Sequence, residues 1–180
     1  TYYFLDSYQM ATGFQEISGN TYFFSTGVMK IYGKTYYEGY MITGWLPLGN
    51  DWYYLNSDGS MVTGLQTVGN NFYYFNASGK MQTGWQGINN KWYYFDENGY
   101  CVTGWRKIDD NWYDFDEDGV LQTGRWIDEY YVGTDGRMLT DTWVGRYWVD
   151  SEGKKDTSIK KEKDLKRSVK RRRAGPCGPA

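Results

Sequence analysis

Aromatic and polar positions repeat along this chain with a period of twenty residues. Each full unit has Thr-Gly-aromatic, a short mixed run, a polar turn, an aromatic-Tyr-Tyr-aromatic run and a glycine loop, as in GWLPLGNDWYYLNSDG at 44–59. The Thr-Gly pair marks the period at 43–44, 63–64, 83–84, 103–104 and 123–124, with an earlier copy at 12–13. Repetition at a fixed spacing is typical of repeat architectures.

Two turns in each unit predict β-hairpins. Residues that tolerate positive φ separate two short runs of β-formers, at Gly49-Asn50-Asp51, Gly69-Asn70-Asn71 and Asn89-Asn90-Lys91. A second turn follows each hairpin, in the sequences NSDG, NASG, DENG and DEDG. Glycine is too frequent for helices, and no period of 3.6 residues is present.

A lone hairpin of this length is marginal in water, so each unit needs a neighbour to cover its apolar face. We therefore predict an all-β fold, a β-solenoid of stacked short β-hairpins with repeats of about 20 residues. The ends are irregular, with a shortened unit at 27–44 and two more at 125–153, which gives about eight copies.

The amino-acid composition indicates which side chains form the core. The chain has 180 residues, of which 20% are aromatic, including 9 Trp and 19 Tyr. A core here must be built largely from rings. Histidine is absent, which removes the commonest general base, and the two cysteines, Cys101 and Cys177, suggest neither a disulfide framework nor a metal site.

Charge divides the chain into two parts. Residues 1–153 hold 9 Lys+Arg against 19 Asp+Glu, whereas residues 154–180 hold 11 against 3. We predict a repeat domain over 1–153 and a basic C-terminal tail over 154–180 that is disordered or partly helical. The tail is compatible with an anionic polymer or nucleic acid, with wall phosphates or with an inert solvated end; we do not expect nucleic acid as a partner of the repeats.

Alternation along the strands groups the rings. In WYYL, Trp52 and Tyr54 point to one face, and Trp45 on the partner strand joins them. In a stack, that face meets Tyr73 of the next unit, so three rings would wall a small cleft. The same spacing gives three sets: Trp45, Trp52 and Tyr73; Trp85, Trp92 and Tyr113; and Trp105, Trp112 and Tyr130. The unit at 65–75 has Leu65 and Phe72 instead, where we expect plain packing.

A box of electron-rich rings suits two kinds of guest. A quaternary ammonium binds it by cation–π attraction, and a sugar ring stacks on indole. A purely structural role, with every ring in the core, is the third possibility.

The motif TGWQGINNKWYYFDENGYCVTGW resembles the choline-binding, or cell-wall-binding, repeats of Gram-positive and phage cell-wall hydrolases and surface proteins. The resemblance covers residues 1–153 and implies choline held between successive hairpins by two tryptophans and a tyrosine of the next unit. It points to the same nine residues. Glu129 stands where a tryptophan is expected, so Trp126 and Tyr147 form at best a degenerate pocket.

The resemblance implies a non-catalytic module that binds choline or choline-bearing teichoic acid and anchors a larger secreted protein to the bacterial surface. The alternative is a carbohydrate-binding module for glucan or a host glycan, as in related repeats of glucosyltransferases and clostridial toxins. We expect no cofactor, no metal and no membrane span. The chain opens in mid-motif, and we expect any catalytic domain of the parent protein to lie outside this segment.

Overall fold

The computed structural model describes residues 1–5 and 9–158. These residues fall into two compact units, the first from Thr1 to Val102 and the second beginning at Thr103. Both are built from β-strands, and the described residues contain no helix, so none could span a membrane. The predicted all-β fold of repeated hairpins is therefore confirmed. Of the tail predicted over 154–180 as disordered or partly helical, residues 159–180 lie outside the described residues.

The described residues of the first unit form ten strands that pair as five consecutive antiparallel hairpins. Their bounds are β1 Gly13–Ile17, β2 Asn20–Phe24, β3 Met29–Ile31, β4 Lys34–Tyr36, β5 Gly44–Leu48, β6 Asp51–Leu55, β7 Gly64–Val68, β8 Asn71–Phe75, β9 Gly84–Ile88 and β10 Lys91–Phe95.

In the second unit, residues 103–158 form two hairpins and a three-stranded sheet in the order β15-β16-β17. Its strands are β11 Gly104–Ile108, β12 Asn111–Phe115, β13 Arg125–Ile127, β14 Tyr130–Val132, β15 Thr142–Val144, β16 Tyr147–Val149 and β17 Lys155–Asp156. Strand β17 shows that the first residues of the segment predicted as a tail are ordered and pair with the last hairpin.

The hairpin loops contain two residues rather than the three that the sequence suggested. Leu48 pairs with Asp51, so Asp51 already belongs to β6 and the loop is Gly49-Asn50. Asn89 and Asn90 both have positive φ, at 51° and 62°. Two-residue loops of this kind are favoured because their twist matches the right-handed twist of the flanking strands.

The connecting turns are closed by side-chain carboxylates and amides. Asp96 Oδ1 accepts hydrogen bonds from the backbone N–H groups of Asn98 and Tyr100, each at 2.9 Å. Gly99 in the same turn has φ 79°, and Met81 Sδ lies 2.5 Å from the position that a Cβ on Gly99 would take. Only glycine satisfies both the backbone conformation and the close approach of the methionine.

Hairpins within a unit are joined by backbone hydrogen bonds and by a ring-rich core. The N–H of Met81 donates to the carbonyl oxygen of Trp52 at 2.8 Å, which ties the segment between β8 and β9 to strand β6. Phe75 and Phe95 are fully buried at the ends of β8 and β10. Among the described residues, aromatic rings supply nine of the twenty buried hydrophobic residues and aliphatic side chains supply the other eleven, so the prediction of a core made largely of rings was only partly right. Burial alternates along the second half of strands β6 and β10, as the alternation of side chains predicts.

Candidate functional site

The first predicted ring set comes together in the first unit. Trp45 on β5 and Trp52 on β6 have ring centroids 6.2 Å apart, with their planes at 79°. Tyr73, on β8 of the next hairpin, lies 4.9 Å from Trp45. The three rings thus meet across two successive hairpins, as the alternation of side chains predicted.

Register explains how the two indoles reach one face. Trp45 pairs with Tyr54 across the hairpin, and Tyr54 shares its face with Trp52 because the two are separated by one residue. Trp45 packs against a buried cluster that includes Tyr73 and Phe75, whereas Trp52 keeps 36% of its surface exposed. One indole is fixed by the core and the other remains open to solvent.

These rings line a cavity of about 650 Å³. Eight further residues of the lining were not among the predicted site residues, and three of these have aromatic or thioether side chains: Tyr32 in the β3–β4 loop, Met81 and Tyr100. Tyr32 lies 6.3 Å from Trp52 with nearly parallel rings, and Tyr100 lies 5.5 Å from Tyr73. The signal available in the sequence was a tyrosine at the first position of a hairpin loop, where the other hairpins have Ser, Gly, Asn or Asp. The structure gives this tyrosine a positive φ of 48°.

Two carboxylates lie at this cavity, from Asp51 and Glu97. Asp51 is paired with Lys80, with an oxygen–nitrogen distance of 2.7 Å. Burial, together with Tyr100, raises the pKa of Tyr73 to about 12, so its phenol is neutral over the physiological range. The cavity therefore offers neutral rings with negative charge at the margin, which favours a cationic guest.

The third predicted set comes together in the second unit. Trp105, Trp112 and Tyr130 line a cavity of about 320 Å³ with Met138 and Glu152. The rings of Trp105 and Tyr130 are 5.6 Å apart at 68°, and 42% of Trp112 is exposed. This cavity repeats the arrangement of the first one, including a methionine and an acidic residue.

One departure lies behind this second cavity. Trp105 pairs with Asp114, whereas Trp45 pairs with Tyr54 at the same place in its hairpin. Asp114 is buried, and that burial raises the pKa of its carboxyl, with the nearby Asp116 adding to the effect.

The second predicted set is divided between the two units. Trp85 and Trp92 lie 6.5 Å apart at 79°, nearly the geometry of Trp45 and Trp52, and 53% of Trp92 is exposed. Tyr113 belongs to the second unit, so the three-ring site stays a prediction.

At two places in the chain the set of three rings is incomplete, and neither place has the geometry of the cavities described above. Leu65 and Phe72 are 39% and 47% exposed, so these side chains are more open than the plain packing we expected. Trp126 and Tyr147 do approach each other, with centroids 5.9 Å apart at 89°. The space beside them holds the side chain of Lys155.

The chemistry of the cavities is that of binding. Within residues 1–5 and 9–158, no group of three or more His, Cys, Asp or Glu is placed to hold a metal ion. The rings and the thioether can hold an organic cation, by cation–π attraction to the ring faces, without any hydrogen bond from the guest. The carboxylates at the edge of each cavity attract the same cation by charge.

Comparison with known families agrees with this geometry. A choline-binding repeat model matches residues 42–82, 62–99 and 82–126, and a second choline-binding repeat model matches 120–154. A cell wall binding repeat model matches 12–29. No curated protein matches the chain.

Two solved structures are similar over most of this chain. Choline binding protein F from Streptococcus pneumoniae, solved in the presence of a peptidoglycan analogue, is 33% identical with a TM-score of 0.75, over 86% of this chain and 55% of that one. CbpJ from Streptococcus pneumoniae TIGR4 is 32% identical with a TM-score of 0.64, over 86% and 61%. The chain thus spans somewhat more than half the length of these relatives. On the repeat matches and these structural likenesses, the chain belongs to the choline-binding repeat family.

Proposed function

We propose that this chain is a non-catalytic module that binds choline carried by cell-wall teichoic acids, and so anchors a larger secreted protein to a bacterial surface. One observation carries the proposal: two indoles nearly at right angles and a tyrosine of the next hairpin surround a cavity that is open to solvent. The same set recurs around Trp105 in the second unit.

The shape and charge of each cavity favour a trimethylammonium group. Such a group has no hydrogen-bond donor and is attracted to ring faces, and it gains further from a nearby carboxylate such as Glu97 or Glu152. Each ring contributes about 0.5–2 kcal/mol, so three rings give roughly 3–5 kcal/mol net, which corresponds to a millimolar site.

Weak single sites are sufficient for anchoring when the ligand is a polymer. A teichoic acid that carries many choline groups engages several cavities of one chain, and the later contacts form at high effective concentration. The module then holds its surface firmly although free choline binds weakly.

We test the ligand by titrating the 180-residue chain with choline and following the ¹⁵N-indole NMR resonances. The resonances of Trp45, Trp52, Trp105 and Trp112 should move with a millimolar midpoint. A neutral isostere, 3,3-dimethyl-1-butanol, has the same shape without the charge and should leave them in place. Absence of any movement up to about 100 mM choline would contradict the proposal.

Substitution at one cavity sharpens the experiment. Trp112→Ala removes an exposed indole and should weaken binding at the Trp105 cavity by about 2- to 30-fold, the contribution of one ring. Trp143→Phe is the matched control, because Trp143 lines neither described cavity. Equal effects of the two substitutions would argue against ligand contact at Trp112.

A carbohydrate remains the alternative ligand for the first cavity. Asn50, Thr83 and Asn98 lie in its lining and are suited to sugar hydroxyl groups, whereas the lining of the Trp105 cavity has no amide or threonine side chain and offers only Tyr130 and Glu152. Retention on dextran but not on a resin with a choline-like headgroup would favour this alternative.

A further inference from the structure

The rings of Trp126 and Tyr147 enclose a cation that belongs to the chain itself. Lys155 Nζ lies 3.7 Å from the ring centroid of Tyr147 and 5.1 Å from that of Trp126. Both distances are within the range of cation–π attraction. The two rings stand at 89° to each other, so the ammonium faces two ring surfaces at once.

Backbone hydrogen bonds show which positions of the repeat these residues occupy. The N–H of Met138 donates to the carbonyl oxygen of Trp112 at 2.8 Å, and the N–H of Lys155 donates to that of Glu129 at the same distance. Met81 and Trp52 are joined in the same way. Lys155 therefore stands where the cavities have a methionine, and Glu129 stands where they have their exposed tryptophan.

The two remaining positions of this cleft hold aromatic rings, as the corresponding positions of the Trp105 cavity do. Trp126 corresponds to Trp105 at the start of its hairpin, and Tyr147 corresponds to Tyr130 on the following hairpin. Their ring separations are alike, at 5.9 Å for Trp126–Tyr147 and 5.6 Å for Trp105–Tyr130. The last cleft thus keeps two rings, lacks the third, and has an ammonium in place of the thioether.

The neighbouring strands hold this arrangement in place. Glu129 forms an ion pair with Lys154 at 3.0 Å, whereas the Lys155 ammonium lies over the rings. Lys155 pairs with Val149 on β16, and its N–H is bound to the carbonyl of Glu129 on the other side. The side chain is therefore presented to the rings by a backbone fixed at two points.

We propose that Lys155 is a built-in ligand of the last aromatic cleft, and that its ammonium excludes choline and other quaternary ammonium ions from that cleft. The exclusion rests on the proposed function of the other cavities, whereas the occupancy by lysine does not. Lys155→Met would restore the methionine of the other clefts and open a further cation site between Trp126 and Tyr147.

The occupancy is tested without any added ligand. Protons held over aromatic faces are shifted upfield by ring currents, so the ε-methylene protons of Lys155 should resonate well upfield of those of other lysines. Lys154→Met is the matched control, because it removes the same charge from the adjacent residue and should leave the Lys155 shift in place. A Lys155 ε-methylene shift equal to that of exposed lysines would overturn the proposal.

The exclusion is tested by choline titration of the native chain, Lys155→Met and Lys154→Met, with the Trp126 and Trp105 indole resonances followed together. In the native chain and in Lys154→Met, only Trp105 should respond. In Lys155→Met, Trp126 should also respond, with an affinity about 2- to 30-fold weaker than at Trp105 because one ring is missing.

Each outcome decides a separate point. A Trp126 response in the native chain with the midpoint of Trp105, or none in folded Lys155→Met, would overturn the exclusion. No response at Trp105 in any variant would overturn the proposed function, and the exclusion with it, while the ligand-free measurement still decides the occupancy. If Lys155→Met does not fold, Lys155→Gln removes the charge at similar length and is measured in its place.

Discussion

At the scale of single residues, the environment of each ring decides whether it supports the fold or remains available to a ligand. Tyr53, Tyr73 and Tyr93 are buried at 6–8% exposure, whereas Trp52 and Trp92 in the neighbouring positions are 36% and 53% exposed. Adjacent aromatic residues thus divide the two tasks. The tyrosine secures the joint between hairpins, and the tryptophan beside it faces solvent.

The raised pKa of Tyr73 predicts that the folded chain loses stability at alkaline pH. Its folded-state pKa is raised from 10.0 to about 12, chiefly by burial, so the neutral phenol is favoured in the folded chain. That stabilisation is complete below pH 10 and is lost as the pH rises from 10 towards 12. Tyr73→Phe should therefore lose less stability than the native chain in this window, which thermal melts at pH 9 to 12 would measure.

The control for this experiment is Tyr54→Phe, since Tyr54 lies in the neighbouring hairpin and is only partly buried. Its melts should follow those of the native chain. Parallel losses in all three proteins between pH 10 and 12 would count against the assignment to Tyr73.

Sequence reasoning located the rings that belong to the period and missed those that do not. Trp45, Trp52 and Tyr73 were predictable because strand alternation fixes the face of every second residue. Tyr32 and Tyr100 lie in turns, where no alternation applies. Lys155 was assigned to the basic tail because charge alone groups it with 154–180, and its pairing with Val149 depends on a contact that composition does not encode.

At the scale of the element, the hairpin and its connecting turn form the repeated unit of construction. The hairpins were predictable from positive-φ residues between β-forming runs, but the loop length was not, because Asp51, Asn71 and Lys91 suit a turn as well as the first position of a strand. The structure places them in strands because the hairpin register closes around two residues.

The connecting turn leads to a prediction about glycine. Gly99 and Gly84 both have positive φ, at 79° and 71°, so alanine at either position costs about 1–2 kcal/mol in backbone strain. A Cβ at Gly99 also meets Met81, whereas one at Gly84 meets nothing within 4 Å. Gly99→Ala should therefore lower the free energy of unfolding by about 1–3 kcal/mol more than Gly84→Ala, as measured by urea unfolding.

The same pair of variants links stability to the binding cavity. Met81 lines the cavity as well as covering Gly99, so displacing it should also weaken choline binding at Trp45 and Trp52. Equal stabilities for the two alanine variants would show that Met81 moves aside freely and that the turn does not hold it.

At the scale of the whole molecule, the proposed anchoring function depends on the number of cavities that one chain offers to a polymer. The described cavities around Trp52 and Trp112 lie in different units, and we expect each to bind choline with about millimolar affinity, as three rings allow. An effective concentration in the millimolar range or above makes each further contact worth up to about tenfold in apparent affinity.

We therefore expect Trp52→Ala and Trp112→Ala to weaken retention on a dense choline surface by several-fold each, and the double variant to weaken it by roughly the product. On a surface so sparse that only one choline is reached at a time, each single variant should differ from the native chain by no more than about twofold, since an intact cavity remains. Surface plasmon resonance at two ligand densities separates these cases. If the native chain bound dense and sparse surfaces with the same affinity, its cavities would act singly, and anchoring would require a different physical basis from repeated weak contacts.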